Sequence, residues 1–190
     1  MTDIWVTSDT HFGHKNIIKF CNRPFDDPDA MNQYMINEWN KKVKPDDIVY
    51  HLGDVALGKI ADTLPLVAQL NGRKSLVPGN HDRCFPTNKD YNTRWWDEYK
   101  QYFAIQPLFS NIMLPKRNKL IVGLCHFPRS GDSHADDRFD KYRPRTWDGP
   151  LIHGHVHDQW VIKGDQFNAG VDVNEFEPVM LDNALDILGY

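Results

Sequence analysis

Five short groups of Asp, Asn and His residues are the part of this sequence that could carry out chemistry, because each follows directly on a strand-like apolar run. In chain order they are Asp9 with His11, Asp54, Asn80 with His81 and Asp82, His126, and His155 with His157. In an extended segment, side chains two positions apart point to the same side, so Asp9 can converge with His11 and His155 with His157. Glycines at 53, 79 and 154 stand beside three of the groups, where they let the backbone turn sharply and approach a ligand closely.

The residue types in these groups predict a metal site. Carboxylate, amide and imidazole groups suit Mn²⁺, Fe, Zn²⁺ or Mg²⁺, and no cysteine apart from Cys125 accompanies them, which argues against a structural thiolate zinc site. Each group alone has an ordinary explanation: Asp-x-His and Gly-Asp occur in surface turns, and a lone histidine such as His126 is often a core residue. The joint pattern, five groups in order and each after a strand, indicates one shared metal centre.

The apolar pattern predicts the elements that must position these groups. Strands are predicted just before the five groups, at residues 3–8, 47–52, 74–77, 120–126 and 151–153. Open α/β sheets bind their ligands at the carboxyl ends of the strands, so we expect the five groups to meet at one edge.

Helical spacing predicts helices between the early strands and a β-rich second half. Helices are expected at 15–21, from the Asp27-Pro28 cap onward, at 60–70 and at 95–103, with further strands at 105–114, 160–163 and near 181–188. Segment 129–148 carries five Arg and Lys residues against five Asp residues, a balance typical of a solvent-exposed loop. The early alternation of β and α elements predicts an α/β fold.

The composition indicates a single cytoplasmic globular domain spanning residues 1–190. The length lies in the range of roughly 100–200 residues that is usual for one domain. The 22 Lys and Arg residues against 26 Asp and Glu residues leave a net charge of −4, which argues against a nucleic-acid coat protein or a binder of anionic membranes. No apolar run reaches the ~18–20 residues of a membrane helix, the N-terminus lacks the features of a signal peptide, and the three cysteines form no CxxC pair.

The series Asp9-x-His11, Gly53-Asp54, Gly79-Asn80-His81-Asp82, His126 and Gly154-His155-x-His157 resembles the signature of the calcineurin-like metallophosphoesterase superfamily. The opening Ser-Asp-Thr-His-Phe-Gly-His-Lys-Asn is similar to that of its compact phage and bacterial members, and the resemblance extends to about Asp172. It implies a four-layer α/β/β/α sandwich, in which two mixed sheets are flanked by helices and the site lies at the carboxyl ends of the strands.

The resemblance also implies a role for each site residue. One divalent ion would be held by four residues: Asp9, His11, Asp54 and His157. A second would be held by Asp54, Asn80, His126 and His155, so that Asp54 bridges the two. Two ions ~3.5–4 Å apart lower the pKa of a bridging water, so that hydroxide can attack a phosphoryl group near neutral pH. His81 would act as the general acid, a role worth ~10²–10⁴-fold, with Asp82 or a backbone carbonyl as its orienting partner. Mn²⁺ is the expected metal, and Fe, Zn²⁺, Ni²⁺, Co²⁺ and Mg²⁺ are the alternatives.

The second block departs from the pattern of the superfamily's protein phosphatases, which read Gly-Asp-x-x-Asp-Arg. Here Gly53-Asp54 is followed by Val-Ala-Leu-Gly, so the second carboxylate and the phosphate-gripping arginine are both missing. This disfavours a Ser/Thr protein phosphatase. His51 and His153 match no ligand of the family, and we expect them in the core or behind the ligands.

The predicted function is metal-dependent hydrolysis of phosphodiester bonds in small substrates, cyclic nucleotides among them. The alternatives are a nuclease or phosphomonoesterase with the same metal site, and a non-catalytic interaction scaffold. A nuclease is expected to show a basic track, which the balanced segment 129–148 does not offer, although nucleic acid is not excluded as a substrate. A scaffold is expected to have lost ligands, and all are present here. Neither a membrane partner nor an oligomeric state is predicted. The residues that bind substrate are not identified; candidates are Arg23, Arg83, Arg129, His14 and Lys15, with Trp95 and Trp96 for base stacking.

Overall fold

The computed structural model describes residues 2–132, 134 and 136–190, and within them ten strands and five α-helices follow one another. The strands are β1 (Ile4–Thr7), β2 (Ile48–His51), β3 (Arg73–Leu76), β4 (Ala104–Ile105), β5 (Phe109–Leu114), β6 (Leu120–Cys125), β7 (Leu151–His153), β8 (Ile162–Lys163), β9 (Gln166–Asn168) and β10 (Val179–Met180). The helices are α1 (Lys15–Phe20), α2 (Pro28–Lys42), α3 (Ile60–Thr63), α4 (Thr93–Lys100) and α5 (Leu181–Leu188). Short 3-10 segments cover Leu64–Gln69, Asp140–Tyr142 and Val171–Val173. None of the helices in this part of the chain is both long and apolar enough to cross a membrane.

The strands form two mixed five-stranded sheets, ordered β10-β1-β2-β3-β4 and β5-β6-β7-β9-β8. Strands β1 to β4 are parallel, as are β6, β7 and β9, while β10, β5 and β8 run antiparallel at the edges. The registers place Thr7 beside His51 and His51 beside Leu76, so β1, β2 and β3 end level with one another. The loops that follow them therefore start from the same edge of the sheet.

The two sheets pack face to face around an apolar core. Val6, Leu52 and Val77 from the first sheet share this core with Leu124 and Ile152 from the second. Helix α5 closes one side of the same core. This is the predicted two-sheet α/β sandwich, and alternation along each strand explains it, because every second side chain faces the other sheet.

Helix α2 covers the outer face of the first sheet. Its start agrees with the prediction, since the Asp27 carboxylate accepts hydrogen bonds from Asp29 N and Ala30 N at 2.8 Å and Pro28 occupies the first turn. Met35 and Trp39, one turn apart, are buried against this sheet. The outer face of the second sheet is covered by aromatic side chains of segment 127–147 and the 3-10 turn within it.

Two predicted strand segments differ from the structure, and strand β9 was not predicted at all. Segment 105–114 is interrupted: β4 ends the first sheet at Ile105 and β5 begins in the second at Phe109, with Pro107 in the crossing. The segment near 181–188 is helix α5, because its apolar residues recur at helical spacing and are buried on one face. Strand β9 gives no apolar alternation from which a strand could be predicted, because it has only three residues and two of them are polar and buried.

Candidate metal centre

The first part of the site is a cluster formed by Asp9, His11 and His157, whose donor atoms lie within 4.8 Å of one another. The rings of His11 and His157 stack with their centroids 5.2 Å apart. Nε2 of His11 lies 4.0 Å from Asp9 Oδ1 and 3.8 Å from Asp54 Oδ2. The chain thus brings together residues from the loops after β1, β2 and β7.

The second part of the site surrounds the same Asp54. Nε2 of His126 lies 3.5 Å from Asp54 Oδ2 and 3.2 Å from Asn80 Oδ1. The ring of His155 is 5.1 Å from the ring of His126. The seven predicted ligands thus lie in one region. Asp54 Oδ2 is 3.8 Å from His11 in the first part and 3.5 Å from His126 in the second, the position that a bridging role would require.

Three of these imidazoles have one ring nitrogen held by a group that can only accept a hydrogen bond. His126 Nδ1 donates to Leu52 O at 2.7 Å, His155 Nε2 to Asp132 Oδ2 at 2.8 Å, and His157 Nδ1 to Asp172 Oδ2 at 3.1 Å. In a neutral ring, each partner fixes the tautomer and leaves the other nitrogen unprotonated. Burial alone would lower the pKa of His157, but the hydrogen bond to Asp172 raises it to about 11, so the metal-free ring is protonated and a metal ion would have to displace that proton. Metal-binding histidines typically have such partners.

His11 lacks such a partner. Both of its ring nitrogens, together with Asp9 Oδ1, are buried and accept or donate no hydrogen bond within the described residues. Burial, with His157 close by, lowers the pKa of His11 well below its usual value, so the ring is neutral and offers a lone pair. Leaving a buried polar atom without a hydrogen-bond partner destabilises the folded state by about 1–3 kcal/mol. The ring nitrogens of His11 and Asp9 Oδ1 are three such atoms close together.

The backbone at the site is strained in a way that the sequence did not predict. Asp9, His11, Asp54, His155 and His157 all have positive φ, between 49° and 73°. Non-glycine residues rarely adopt this left-handed region, and they concentrate at functional sites. The pair Asp9 and His11 and the pair His155 and His157 therefore converge through tight turns and not through the extended backbone that we expected.

Backbone hydrogen bonds hold these turns in place. His11 N donates to Asp54 O at 3.0 Å, and Asp9 N to Gly53 O at 3.0 Å, which continues the pairing of β1 with β2 into the loops. A side chain at Gly79 would bring its Cβ within 2.3 Å of Asp54 Oδ1, and one at Gly154 within 2.4 Å of Asp9 Oδ2. These two glycines thus permit the close approach that their position beside the motifs suggested.

Asp82 has a different place from the one expected for an orienting partner of His81. Its buried carboxylate accepts hydrogen bonds from Gly79 N, Asp54 N and Val55 N at 2.9–3.0 Å and from Tyr99 Oη at 3.2 Å. Burial and the neighbouring Asp54 charge raise the pKa of Asp82 to about 6. No hydrogen bond among the described residues joins Asp82 to the His81 ring, because both carboxylate oxygens are used to tie the turns after β2 and β3 together.

His81 itself lies at the edge of the cluster. Its backbone N–H donates to Asp54 Oδ1 at 2.8 Å, and its ring is 5.5 Å from that of His11. His51 and His153 are fully buried, and burial lowers the pKa of each to about 3. They remain neutral core residues outside the donor clusters.

Two carboxylates behind the histidines were missed by the sequence analysis. Asp172 holds His157 and forms a two-point ion pair with the buried Arg23, which also donates to the carbonyls of Asp9 and Thr10. Arg23 is therefore a support of the site and not a free phosphate ligand. The one hint of Asp172 in the sequence was that the resemblance to the family extends to about this residue.

Asp132 is the second missed carboxylate, and it corrects the prediction for segment 129–148. Its side chain is buried and accepts hydrogen bonds from His155, Arg138 and Arg143. The balanced charges of the segment pair mostly with one another, so the loop is anchored to the site instead of being fully solvated. Arg129 likewise pairs with Asp165.

A cavity of about 380 Å³ opens above the two clusters. Its floor includes His11, Asp54 and His155, and His14 and Arg138 stand in its walls. The other substrate candidates are placed less favourably. Arg83 lies 3.7 Å from Asp90 and stacks on Trp95. Trp95 and Trp96 are partly buried against the apolar cluster that contains Met35 and Trp39. Lys15 is exposed.

Comparisons with known proteins agree with this geometry. The family model described as calcineurin-like phosphoesterase matches residues 2–159. An uncharacterized protein of Methanocaldococcus jannaschii is 32% identical over 191 residues, covering 96% of this chain and 89% of that protein. The gene 66 protein of Mycobacterium phage L5 is 29% identical over 182 residues, covering 90% and 87%. A crystal structure of an Aquifex aeolicus protein of unknown function superposes with a TM-score of 0.74 at 27% identity, covering 99% of this chain and all of that one.

Proposed function

The chain belongs to the calcineurin-like phosphoesterase family, and from this membership we propose that it hydrolyses small phosphodiesters with the help of two divalent metal ions. The observation that supports the metal pair most strongly lies between His126, Asn80 and Asp54. Because Leu52 O can only accept, the proton of a neutral His126 is on Nδ1, and Nε2 faces two further acceptor oxygens at 3.2 and 3.5 Å. An amide oxygen and a carboxylate oxygen thus converge within 3.5 Å of one imidazole nitrogen of His126, and together the three are the donor set that a divalent cation binds.

The donor set fits two ions. The first would be held by Asp9, His11, Asp54 and His157. The second would be held by Asp54, Asn80, His126 and His155. When bound, such a pair lowers the pKa of a shared water and neutralises charge on the phosphoryl oxygens. Mn²⁺ is the metal we propose, since carboxylate, amide and imidazole ligands together suit it.

Protonation of the leaving oxygen is the step that we assign to His81. Its main chain is anchored on Asp54, so the imidazole stands at the rim of the ion site without being part of either donor cluster. From there it can give a proton to the leaving oxygen as the bond to phosphorus breaks, the role of a general acid. Asp82 supports this arrangement indirectly, by holding the turns that carry Asp54 and His81.

Outside the proposed metal ions, the cavity adds little positive charge, which favours diesters over monoesters. Among its described lining residues Arg138 is the one guanidinium, and it is paired with Asp132. A monoester dianion calls for more positive charge around the phosphoryl group than a diester monoanion does. One feature favours the alternative of a nuclease: a groove of about 610 Å³ adjoins the cavity at His81 and runs past Arg83 and Lys89.

A substrate panel tests the proposal. Metal-stripped protein is reconstituted with Mn²⁺, Fe²⁺, Zn²⁺, Ni²⁺, Co²⁺ or Mg²⁺ and assayed on bis(p-nitrophenyl) phosphate, p-nitrophenyl phosphate, 2′,3′- and 3′,5′-cyclic nucleotides, and single-stranded DNA. We expect metal-dependent turnover that is fastest on small diesters and is abolished by a chelator. Absence of metal-dependent turnover on every diester refutes the proposal, and preferential cleavage of DNA establishes the nuclease instead.

A further inference from the structure

Phe20 is a solvent-exposed aromatic side chain beside the candidate metal centre. It is 73% exposed, more than any other large apolar residue that the structure describes. It ends helix α1, which begins directly after the loop that carries Asp9 and His11. Its side chain lines the same cavity whose floor is the candidate metal centre. Single exposed apolar side chains are common on protein surfaces, so it is the position of Phe20 on the lining of the candidate site, and not its exposure alone, that points to a ligand.

The wall that contains Phe20 is apolar and aromatic. Ile17, one turn earlier in α1, is buried and also lines the cavity. The ring of His14 connects this wall to the floor: it lies 5.3 Å from the ring of His11 and 6.4 Å from that of Phe20, at 78° to the latter. A substrate whose phosphoryl group rests on the floor thus has a ring-lined wall beside it.

Other lining residues of the cavity are polar. They include Gln159, whose amide can donate to and accept from the edge of a flat ligand, and Arg138, whose guanidinium can donate. A nucleobase matches both kinds of lining, since it offers a π-face for stacking and donors and acceptors along its edge. A simple alkyl substituent offers apolar surface but no hydrogen-bonding edge. The residues that the sequence suggested for stacking, Trp95 and Trp96, lie against the core instead.

The cavity also distinguishes the two substituents of a diester. His81 borders both the cavity and the adjoining groove, whereas Phe20 borders only the cavity. The leaving oxygen must lie next to the general acid, so the leaving group can extend into the groove. The group that stays on phosphorus then lies against Phe20.

We propose that Phe20 and Ile17 form a stacking subsite for the base of a nucleotide-type phosphodiester, on the side of the group retained after cleavage. This inference rests on the proposed phosphodiesterase function. It makes Phe20 a specificity-determining residue for a nucleoside-bearing substrate.

Two esters with the same leaving group test the subsite: the p-nitrophenyl ester of thymidine 5′-phosphate and ethyl p-nitrophenyl phosphate. We expect the Mn²⁺-loaded protein to prefer the nucleoside ester in kcat/KM. Phe20→Ala should reduce that preference by roughly 5- to 150-fold, chiefly through KM, while Phe20→Trp retains it. Ile187→Ala, which removes another exposed apolar side chain far from the cavity in α5, serves as the matched control and should leave the preference intact. A preference that is absent in the wild type, or unchanged in Phe20→Ala, overturns the inference.

Equilibrium binding separates this inference from the proposed function. Calorimetry compares thymidine 5′-monophosphate with inorganic phosphate on the Mn²⁺-loaded wild type and Phe20→Ala. If neither ester is hydrolysed, the proposed function fails, but tighter binding of the nucleotide that is lost in Phe20→Ala still supports the subsite. Equal binding of the two ligands overturns the subsite whether or not the esters are hydrolysed. Thermal unfolding of each variant confirms that it is folded.

Discussion

Replacement of Asp132 is the most informative perturbation of this site, because Asp132 touches a candidate ligand without being one. Its Oδ2 accepts from His155 Nε2 at 2.8 Å and from Arg143 Nη2 at 3.0 Å, and its Oδ1 accepts from Arg138 Nη2 at 2.7 Å. Burial alone would raise the pKa of Asp132, but the hydrogen bonds from His155 and Arg138 hold it far below its usual value. The carboxylate is therefore ionised at neutral pH and makes the His155 ring a better donor of its free nitrogen.

The structure sets the expected size of the effect. In Asp132→Asn, the amide can keep its oxygen toward the buried His155 and Arg143 and turn its NH₂ toward Arg138, whose side chain is 40% exposed. The contact to His155 then survives without its charge, which puts the loss at the lower end of the 10- to 100-fold typical of such partners. In Asp132→Ala the contact itself is lost. A hydrogen bond to a charged group contributes about 1.5–3 kcal/mol, which corresponds to roughly 10- to 150-fold.

Calorimetric titration of metal-stripped protein with Mn²⁺ measures the affinity of each ion directly. We expect about 10-fold weaker binding of the second ion in Asp132→Asn and about 100-fold in Asp132→Ala, with the first ion little affected. Asp137→Asn is the matched control, since Asp137 lies in the same loop and binds Gly131 N and Arg145 but not His155. Wild-type affinity in Asp132→Ala, or an equal loss in Asp137→Asn, refutes the reasoning.

Four further outcomes are expected. His81→Ala should retain both metal ions by elemental analysis and lose ~10²–10⁴-fold in kcat on esters with poor leaving groups, with a smaller loss for p-nitrophenolate; a parallel fall in metal content would show that His81 is a ligand. Asp54→Ala should lower the occupancy of both ions together, whereas loss of one alone would contradict a bridging role. Gly79→Ala should lower both the thermal stability and the metal affinity, since its Cβ would come 2.3 Å from Asp54 Oδ1, 2.7 Å from Asp54 N and 2.8 Å from His126 Nδ1. Asp47→Asn should destabilise the metal-free protein at pH 7 by about 1–2 kcal/mol in urea unfolding, because one amide oxygen must replace two carboxylate oxygens that accept from Asp3 N, Lys44 N and Trp5 Nε1. Although burial raises the pKa of Asp47, those bonds hold it below its usual value. The stabilisation by the ionised carboxylate is therefore complete above the unfolded pKa of about 3.9 and is lost as the pH falls through the folded pKa. The difference in unfolding free energy between the wild type and Asp47→Asn should thus be smaller at pH 3 than at pH 7.

The order and type of the main elements could be predicted because they depend on short-range patterns. The strand before each motif and the capped start of α2 are visible in the sequence as apolar runs and as Asp27-Pro28. The second half was harder, since β9 is short and polar and α5 has only eight residues, so neither offers a long periodic signal. The split of segment 105–114 between two sheets depends on which strand each half meets in space, and periodicity does not report that.

For the site, the sequence by itself determined the seven candidate ligands and His81, because their residue types and their positions after strands are local properties. The tertiary structure decided what supports them. The pairs Arg23 with Asp172 and His155 with Asp132 join residues 149 and 23 positions apart, and nothing near Asp132 in the sequence distinguishes it from the other acidic residues of its loop. Folding also decided that Asp82 ties two turns together and that Phe20, not a tryptophan, stands beside the cavity. The physical reason is the same in each case. Which distant segments pack together decides a side chain's hydrogen-bond partners and its exposure, and the local sequence around a residue does not specify those segments.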